Sequence, residues 1–275
     1  MKEFPLMRQK KLFSLLNKEL NAENSLVKSV KPNFFERLNS LLALSRPVVI
    51  AISGESASGK TTFLKLLREQ TSRLQERREN LIMSSIKGDN YFNDISLLIK
   101  KYGGFDELLA TGYNPDSPRC FQLDLMRKDL TELMLKKSVY IPRYEVNGTG
   151  VSVPNAILIN PAEVIVVEGM CSLYDDIHDI FDMKIFIDVD EKTQRERYFA
   201  RCEKRNQAVE DAKKQLEIVT ESAKKYIRPT KKYADLVIDG SADIDRIRIF
   251  LRDFFNSVVS DSKTTTSNPN LIFKN

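Results

Sequence analysis

One histidine, three cysteines and no tryptophan occur in 275 residues. The single His178 cannot supply a His-rich zinc site or a zincin helix, and it could join a Ser-His-Asp triad only by being that one histidine. Cys120, Cys171 and Cys202 are far apart and form no CxxC pair, so neither a zinc ribbon nor a disulfide framework fits. A reduced, cytoplasmic setting is expected. No uninterrupted apolar run approaches the roughly 18–20 residues of a membrane span. The N-terminus, MKEFPLMRQKK, lacks the apolar core of a secretory signal.

Surplus charge is scarce as well. The formal net charge is +5, and residues 1–46, with nine Lys/Arg against four Asp/Glu, account for all of it. The remaining chain is balanced, which argues against a broad nucleic-acid surface. The basic head reads as the solvated face of a helical extension.

What the chain does have is alternation of helix and strand patterns. Residues 8–20 and 33–45 read as helices, with NAENS and KPN as turns between them. PVVIAISG (47–54), LIMSSIKGD (81–89), EVIVVEG (163–169), KIFIDVD (184–190) and ADLVIDG (234–240) read as buried strands. Between them, helical patterns span 60–79, 94–111 (broken at Gly103-Gly104), 121–137 and 191–227, and one closes the chain from Ile244 to Val258. Two alternating runs flank Asn147-Gly148, a hairpin signal. The expected organisation is a helical extension (1–46), an α/β domain (47–259) built on a mainly parallel sheet, and a mobile polar tail (260–275). Ligands of such sheets lie outside the carboxyl ends of the strands.

The strongest motif sits at such an end. Gly54-Glu55-Ser56-Ala57-Ser58-Gly59-Lys60-Thr61-Thr62 matches G-x-x-x-x-G-K-[ST] after a predicted strand and at the start of a predicted helix. Its glycines let successive N–H groups turn inward on phosphate oxygens, and the helix start adds its positive dipole end. Lys60 is placed to reach the β- and γ-phosphates and the Thr61 hydroxyl to bind Mg²⁺. There is no N-K-x-D motif of a GTPase and no L-S-G-G-Q of an ABC ATPase. Instead Asp89 and Glu168 each follow a strand. A kinase acting on an alcohol needs one carboxylate to accept the hydroxyl proton and another to help hold Mg²⁺. Read alone, either carboxylate is equally well explained as the cap of a strand or helix.

These residues, in this order, resemble the uridine kinases and their phosphoribulokinase relatives. Asp89-Asn90-Tyr91-Phe92 is similar to that family's Asp-Ser-Phe-Tyr, whose Asp is the catalytic base. Asn114-Pro115-Asp116-Ser117-Pro118 resembles its Asn-Phe-Asp-His-Pro, and Ile141 to Glu145 the start of its acceptor-binding hairpin. Val164 to Met170, Phe181 to Asp190 and Lys231 to Ile238 are similar to its later strands. The resemblance runs from about Val48 to Ile238. It implies a P-loop NTPase fold: a five-stranded parallel sheet flanked by helices, with a β-hairpin over the acceptor and a mobile helical lid bearing Arg201 and Arg205. It also implies ATP and Mg²⁺ as cofactors, Asp89 and Lys60 in catalysis, Thr61 and Glu168 at the metal, and Tyr91, Phe92, Asp116, Arg119 and Tyr144 near the acceptor.

The departures fall in the acceptor half. Arg119 stands where the family has a ribose-binding Asp, Phe92 replaces a Tyr, Thr149 and Val151 replace a His and an Arg, and the lid lacks the family's Asp. Each polar partner lost from such a site costs on the order of 1–3 kcal/mol. Arg119 suits an anionic acceptor such as a sugar phosphate, or else it faces solvent. Of Arg197, Arg201 and Arg205, on one helical face, one or two are expected at the phosphates and the rest in surface ion pairs with Glu196, Glu203 or Asp211. The reading is an ATP-dependent kinase of a nucleoside such as uridine or cytidine, or of a sugar or sugar phosphate. It has a small-molecule acceptor, no nucleic-acid partner and a possible homo-oligomeric state. Two alternatives stay open: a nucleotide-binding regulatory protein without phosphotransfer, and a binding protein driven by the basic head.

Overall fold

The structure, a computed structural model, describes residues 6–42, 44–76, 82–145 and 148–258. The N-terminal segment forms helix α1 (Leu6–Leu20), strand β1 (Val27–Val30) and helix α2 (Phe34–Leu42). Strand β2 (Val48–Gly54) runs into helix α3 (Lys60–Glu76), and β3 (Met83–Lys87) follows. The far end of the helix predicted to reach residue 79 lies outside the described residues. Helices α4 (Ser96–Tyr102) and α5 (Phe105–Ala110) are split at Gly103-Gly104, as the sequence predicts. Helix α6 (Leu123–Met134) buries Leu123, Met126, Leu130 and Leu133, the side its spacing marked. Strands β4 (Val139–Tyr144) and β5 (Ser152–Ile159) pair antiparallel as the hairpin, whose Asn147 is outside the described residues. Strands β6 (Val164–Glu168) and β7 (Met183–Asp188) come next. The charged stretch from 191 divides into α7 (Glu191–Lys204) and α8 (Val209–Ser222), with a wide π-helical turn (Ala223–Ile227) and a tighter 3-10 segment (Arg228–Tyr233) leading to β8 (Leu236–Asp239). Helix α9 (Ile244–Val258) closes the described chain, and the tail predicted at 260–275 falls beyond it.

The sheet order is β1-β8-β7-β2-β6-β3. The five strands from β8 to β3 are parallel, as the sequence implied. A sixth, β1, pairs antiparallel with β8 and sits at the edge. Sequence patterning missed it because Val-Lys-Ser-Val is four residues long, alternates only briefly and lies between turn-forming residues. Nor is the N-terminal segment a solvated appendage. Leu12, Leu16, Leu26, Val27, Phe34 and Leu38 are buried against one face of the sheet together with α3 and α9. Four of its cations are paired with carboxylates of the body. Lys28 bridges Asp188 and Asp239, Lys31 and Arg37 meet Asp235, and Arg46 makes a two-pronged contact with Asp182. The other face of the sheet carries α6, the hairpin and the segment around Tyr174.

Strand β2 lies between β6 and β7, so the loop leaving its carboxyl end emerges in the middle of the sheet. Helices cover both faces of the sheet, and the inner strands β2, β6 and β8 are nearly continuous apolar runs with polar groups left to their ends. That sets the place where Gly54, Lys87, Glu168, Asp188 and Asp239 end their strands.

Candidate active site

An open cavity of about 990 Å³ lies at these strand ends. Its floor holds Gly59, Lys60, Thr61 and Thr62 at the start of α3, with Glu168 from β6 and Asp89 from the turn after β3. Parallel pairing sets Lys87 directly across from Glu168. Just beyond, the backbones of Gly88 and Gly169 touch. A Cβ on Gly88 would lie 2.8 Å from the Cys171 sulfur, and one on Gly169 would lie 3.0 Å from the Gly88 Cα. This close approach, open only to glycine, brings Asp89 beside the end of β6.

The charges are mutually compensating. The Lys60 ammonium donates to the Glu55 carbonyl at 2.8 Å. Burial lowers the Lys60 pKa, while Glu168, Asp89 and Asp116 pull it back up. Burial raises Glu168, opposed by Lys60 and by a hydrogen bond with the Thr61 side chain. Asp89 is reachable from the cavity but walled by protein on its other sides. That walling raises its pKa, against Lys60, Lys87 and Arg201. A raised carboxylate that remains accessible is the state suited to taking a proton.

The lid helix α7 leans over the loop. Arg197, Arg201 and Arg205 all line the cavity. Arg197 donates to the Gly240 carbonyl at 2.7 Å and Arg201 to the Ser56 hydroxyl at 2.8 Å. No ion pair joins any of the three to Glu196, Glu203 or Asp211 among the described residues, so the expected division into phosphate and surface arginines is not what the helix presents.

The acceptor half differs from expectation at four positions, since Tyr91, Phe92, Asp116 and Arg119 do not line the cavity and only Tyr144 of the expected five does. Tyr91 is fully buried, with its hydroxyl donating to Asp129 at 2.9 Å, and so does not face the cavity. Arg119 is exposed and does not line the cavity; its carbonyl accepts from the Asn93 side chain. Both residues sit in irregular turns, where sequence order says little about side-chain direction. Phe92 packs on Phe121 (ring centroids 4.1 Å) and on Tyr144 (5.0 Å), and Tyr144 lines the cavity. Asp116 is buried and feels both Asp89 and Lys60. Sequence reading missed Arg68, Lys87 and Arg143, which also face the cavity. Lys87 ends a strand two residues before Asp89, which was a signal available in the sequence. Glu145 pairs with Arg143 at 3.0 Å. Apart from Asp89 and Glu168, no carboxylate lines the cavity among the described residues.

The loop and its surroundings fit a magnesium nucleotide. Ser58 Oγ and Arg201 Nε are buried without a hydrogen-bond partner, and both belong to the loop or the lid over it. No group of three or more His, Cys, Asp or Glu able to hold a metal alone exists among the described residues. A metal here would rest on Thr61, Glu168 and the phosphates themselves. No described helix is long and apolar enough to cross a membrane.

The model of the phosphoribulokinase / uridine kinase family matches residues 49–245. A uridine kinase of Brevibacillus brevis is 33% identical over 198 residues, covering 71% of this chain and 86% of its own. One of Macrococcus caseolyticus is 32% identical over 198 residues, covering 71% and 89%. Among solved structures, a putative fructose transport system kinase from Silicibacter sp. superposes with a TM-score of 0.52 at 18% identity, covering 72% of this chain and 89% of that one, a likeness of fold. On the family match the chain is a phosphotransferase with a hydroxyl acceptor and belongs to the phosphoribulokinase / uridine kinase family.

Proposed function

We propose that the protein passes the γ-phosphate of magnesium ATP in line to a hydroxyl of a small polyhydroxylated acceptor, with Asp89 as the base. The observation that carries this is the gathering of Lys60, Thr61, Glu168 and Asp89 at three adjacent strand ends around one cavity. The loop N–H groups and Lys60 hold the phosphates. Thr61 and Glu168 hold Mg²⁺, which when bound screens the negative charge of the transferring group. Asp89 takes the hydroxyl proton as the acceptor oxygen bonds to phosphorus and the bond to the bridging oxygen of ADP breaks. Arg201, with Arg197 and Arg205 on the same face, meets the charge on the transferring phosphoryl group. Ile238, Ala242 and Ile247 give the cavity an apolar end suited to the base of the nucleotide.

For the acceptor, the favoured class is a sugar or sugar acid carrying an anionic group. Tyr144, which lines the cavity, is the group proposed to hold its hydroxyls. Lys87, whose ammonium makes no hydrogen bond or ion pair among the described residues, and Arg143, which pairs with Glu145, face the acceptor half. The polar partners through which the family holds a nucleoside are replaced, by Phe92, Arg119, Thr149 and Val151. Charge-assisted contacts to a phosphate or carboxylate suit the cations present.

The test is turnover of ATP across nucleosides, sugars and sugar phosphates by the parent and by Asp89→Asn. The parent is expected to prefer an anionic sugar, and Asp89→Asn to lose about 10²–10⁴-fold with it. The rate should fall as pH drops through the Asp89 pKa, above the ordinary aspartate range, because protonation removes the base. Survival of Asp89→Asn within about tenfold would rule out the base assignment. A clear preference for uridine would rule out the anionic acceptor.

A further inference from the structure

The second residue of the phosphate loop does not face the phosphates. Glu55 is 5% exposed and is absent from the residues lining the main cavity. It borders instead a separate small cavity, with Arg228 and Glu191. Its carboxylate receives Arg228 Nε at 2.7 Å and Nη2 at 3.4 Å, and the Gln194 amide at 3.1 Å. The same Gln194 amide also donates to the Ser56 carbonyl at 3.0 Å. Gln194 lies on α7, one turn before Arg197 and two before Arg201, and is itself buried.

Two neighbours of Glu55 reinforce the link. Ser56 accepts from Arg201 through its hydroxyl. Ala57 has a left-handed backbone, φ +62°, which is unfavourable for any residue with a Cβ, and its methyl packs on the cluster of Tyr198, Cys202, Ala212 and Leu216 between α7 and α8. Glu55, Ser56 and Ala57 thus all engage the lid helix, and of the three only Glu55 is turned away from the main cavity.

From this geometry we infer that Glu55 is a positioning residue, fastening the phosphate loop to helix α7 and to Arg228 so that the lid arginines stand over the transferring phosphate. A carboxylate in a phosphate loop would repel a triphosphate if it pointed inward; buried against Arg228 it is neutralised and acts as an anchor. The role rests on the kinase reading, but the anchor itself can be measured without turnover.

Amide hydrogen exchange on the full chain decides the anchor. In Glu55→Gln, exchange of α7 amides is expected to rise about tenfold or more, as for a locally loosened element, with β2, β6 and β7 unchanged. Arg228→Gln, which leaves Gln194 on Glu55, should give a smaller rise. Gln194→Leu serves as the second variant if Glu55→Gln does not fold, with the same expected rise in α7. Kinetics decide the role. Glu55→Gln should lower kcat about tenfold or more, with the KM for ATP moving less than about threefold, since misplacement acts on the transition state. The factor lost on Arg201→Ala should then shrink in the Glu55→Gln background. Unchanged α7 exchange would overturn the anchor. An equal Arg201→Ala factor in both backgrounds would overturn the positioning role. Loosened α7 in a protein that phosphorylates no acceptor would keep the anchor and remove the kinase reading alone.

Discussion

Asp116 is a carboxylate that the fold holds against its own stability. Burial first, and then the charge of Asp89, push its pKa up to about 6 from an ordinary 3.8, with Lys60 pulling the other way. A carboxyl whose folded-state pKa is raised binds its proton more tightly when folded. Its contribution is therefore most favourable below the unfolded value and declines as pH rises toward 6. By neutral pH the ionised form costs about 1–3 kcal/mol. Asp116→Asn should raise the urea midpoint at about pH 7.5 and leave it nearly unchanged at about pH 4. Equal gains at both would show that ionisation is not the cause. Loss of turnover alongside the gain would place Asp116 at the acceptor, as a residue kept for chemistry at the expense of stability. At this scale the sequence was legible where a residue's place is set by a regular element. Lys60 starts a helix and Glu168 ends a strand, so both could be located beforehand. Tyr91 and Arg119 lie in short tight turns, where one step of rotation decides between core, cavity and solvent.

Among the elements, the hairpin depends on how its tip docks. The Ile95 N–H donates to the Gly150 carbonyl at 2.9 Å, and the Ser152 N–H donates to Asp94 at 2.9 Å. Gly150 has φ +67°, and a Cβ there would lie 2.6 Å from both Ile95 and Ile99. Gly148 has φ +82° but nothing within 4 Å. Both alanine variants carry the left-handed backbone penalty, about 1 kcal/mol. Only Gly150→Ala also overpacks the contact with α4, so it should destabilise by about 1–3 kcal/mol more than Gly148→Ala, read from urea unfolding of the two variants. Matching losses would mean that the side chains of Ile95 and Ile99 give way freely. Element-level reading succeeded for this hairpin and for the parallel strands because each carries a complete local signal, alternation around a turn or an apolar run ending in Gly or an acid. It failed for β1, whose reason to be a strand is the unpaired edge of β8, more than 200 residues away in the sequence. An edge strand of four residues is a tertiary fact, invisible to any local pattern.

For the whole molecule, the charge asymmetry acquires a meaning through that edge. Four of the nine cations in residues 1–46 are counter-ions of acids in the body. Asp235 is 2% exposed and takes Arg37 at 2.9 Å, Lys31 at 3.6 Å and the Lys184 N–H at 2.9 Å. Asp182 receives both Arg46 nitrogens and the Val49 N–H. Removing residues 1–46 would leave Asp235 with Lys184 as its remaining charged neighbour and Asp182 without Arg46. Asp235 and Asp182 are largely buried while their cations are about a third exposed, so losing those partners costs less than the roughly 3–5 kcal/mol of a fully buried pair. The same cut uncovers the backbone edge of β8 and the apolar surface beneath Leu12, Leu16, Leu26 and Phe34, a template for aggregation. A domain of ordinary stability has about 5–15 kcal/mol in all, so the truncated chain is expected to be insoluble or to lack a cooperative thermal transition. Arg37→Met, which deletes one cation and keeps the strand, should still fold, with a lowered melting temperature that partly recovers in Arg37→Met combined with Asp235→Asn. A truncated protein that melts cooperatively within a few degrees of the parent would show the segment to be an independent appendage and the ion pairs to be worth little, as exposed pairs are.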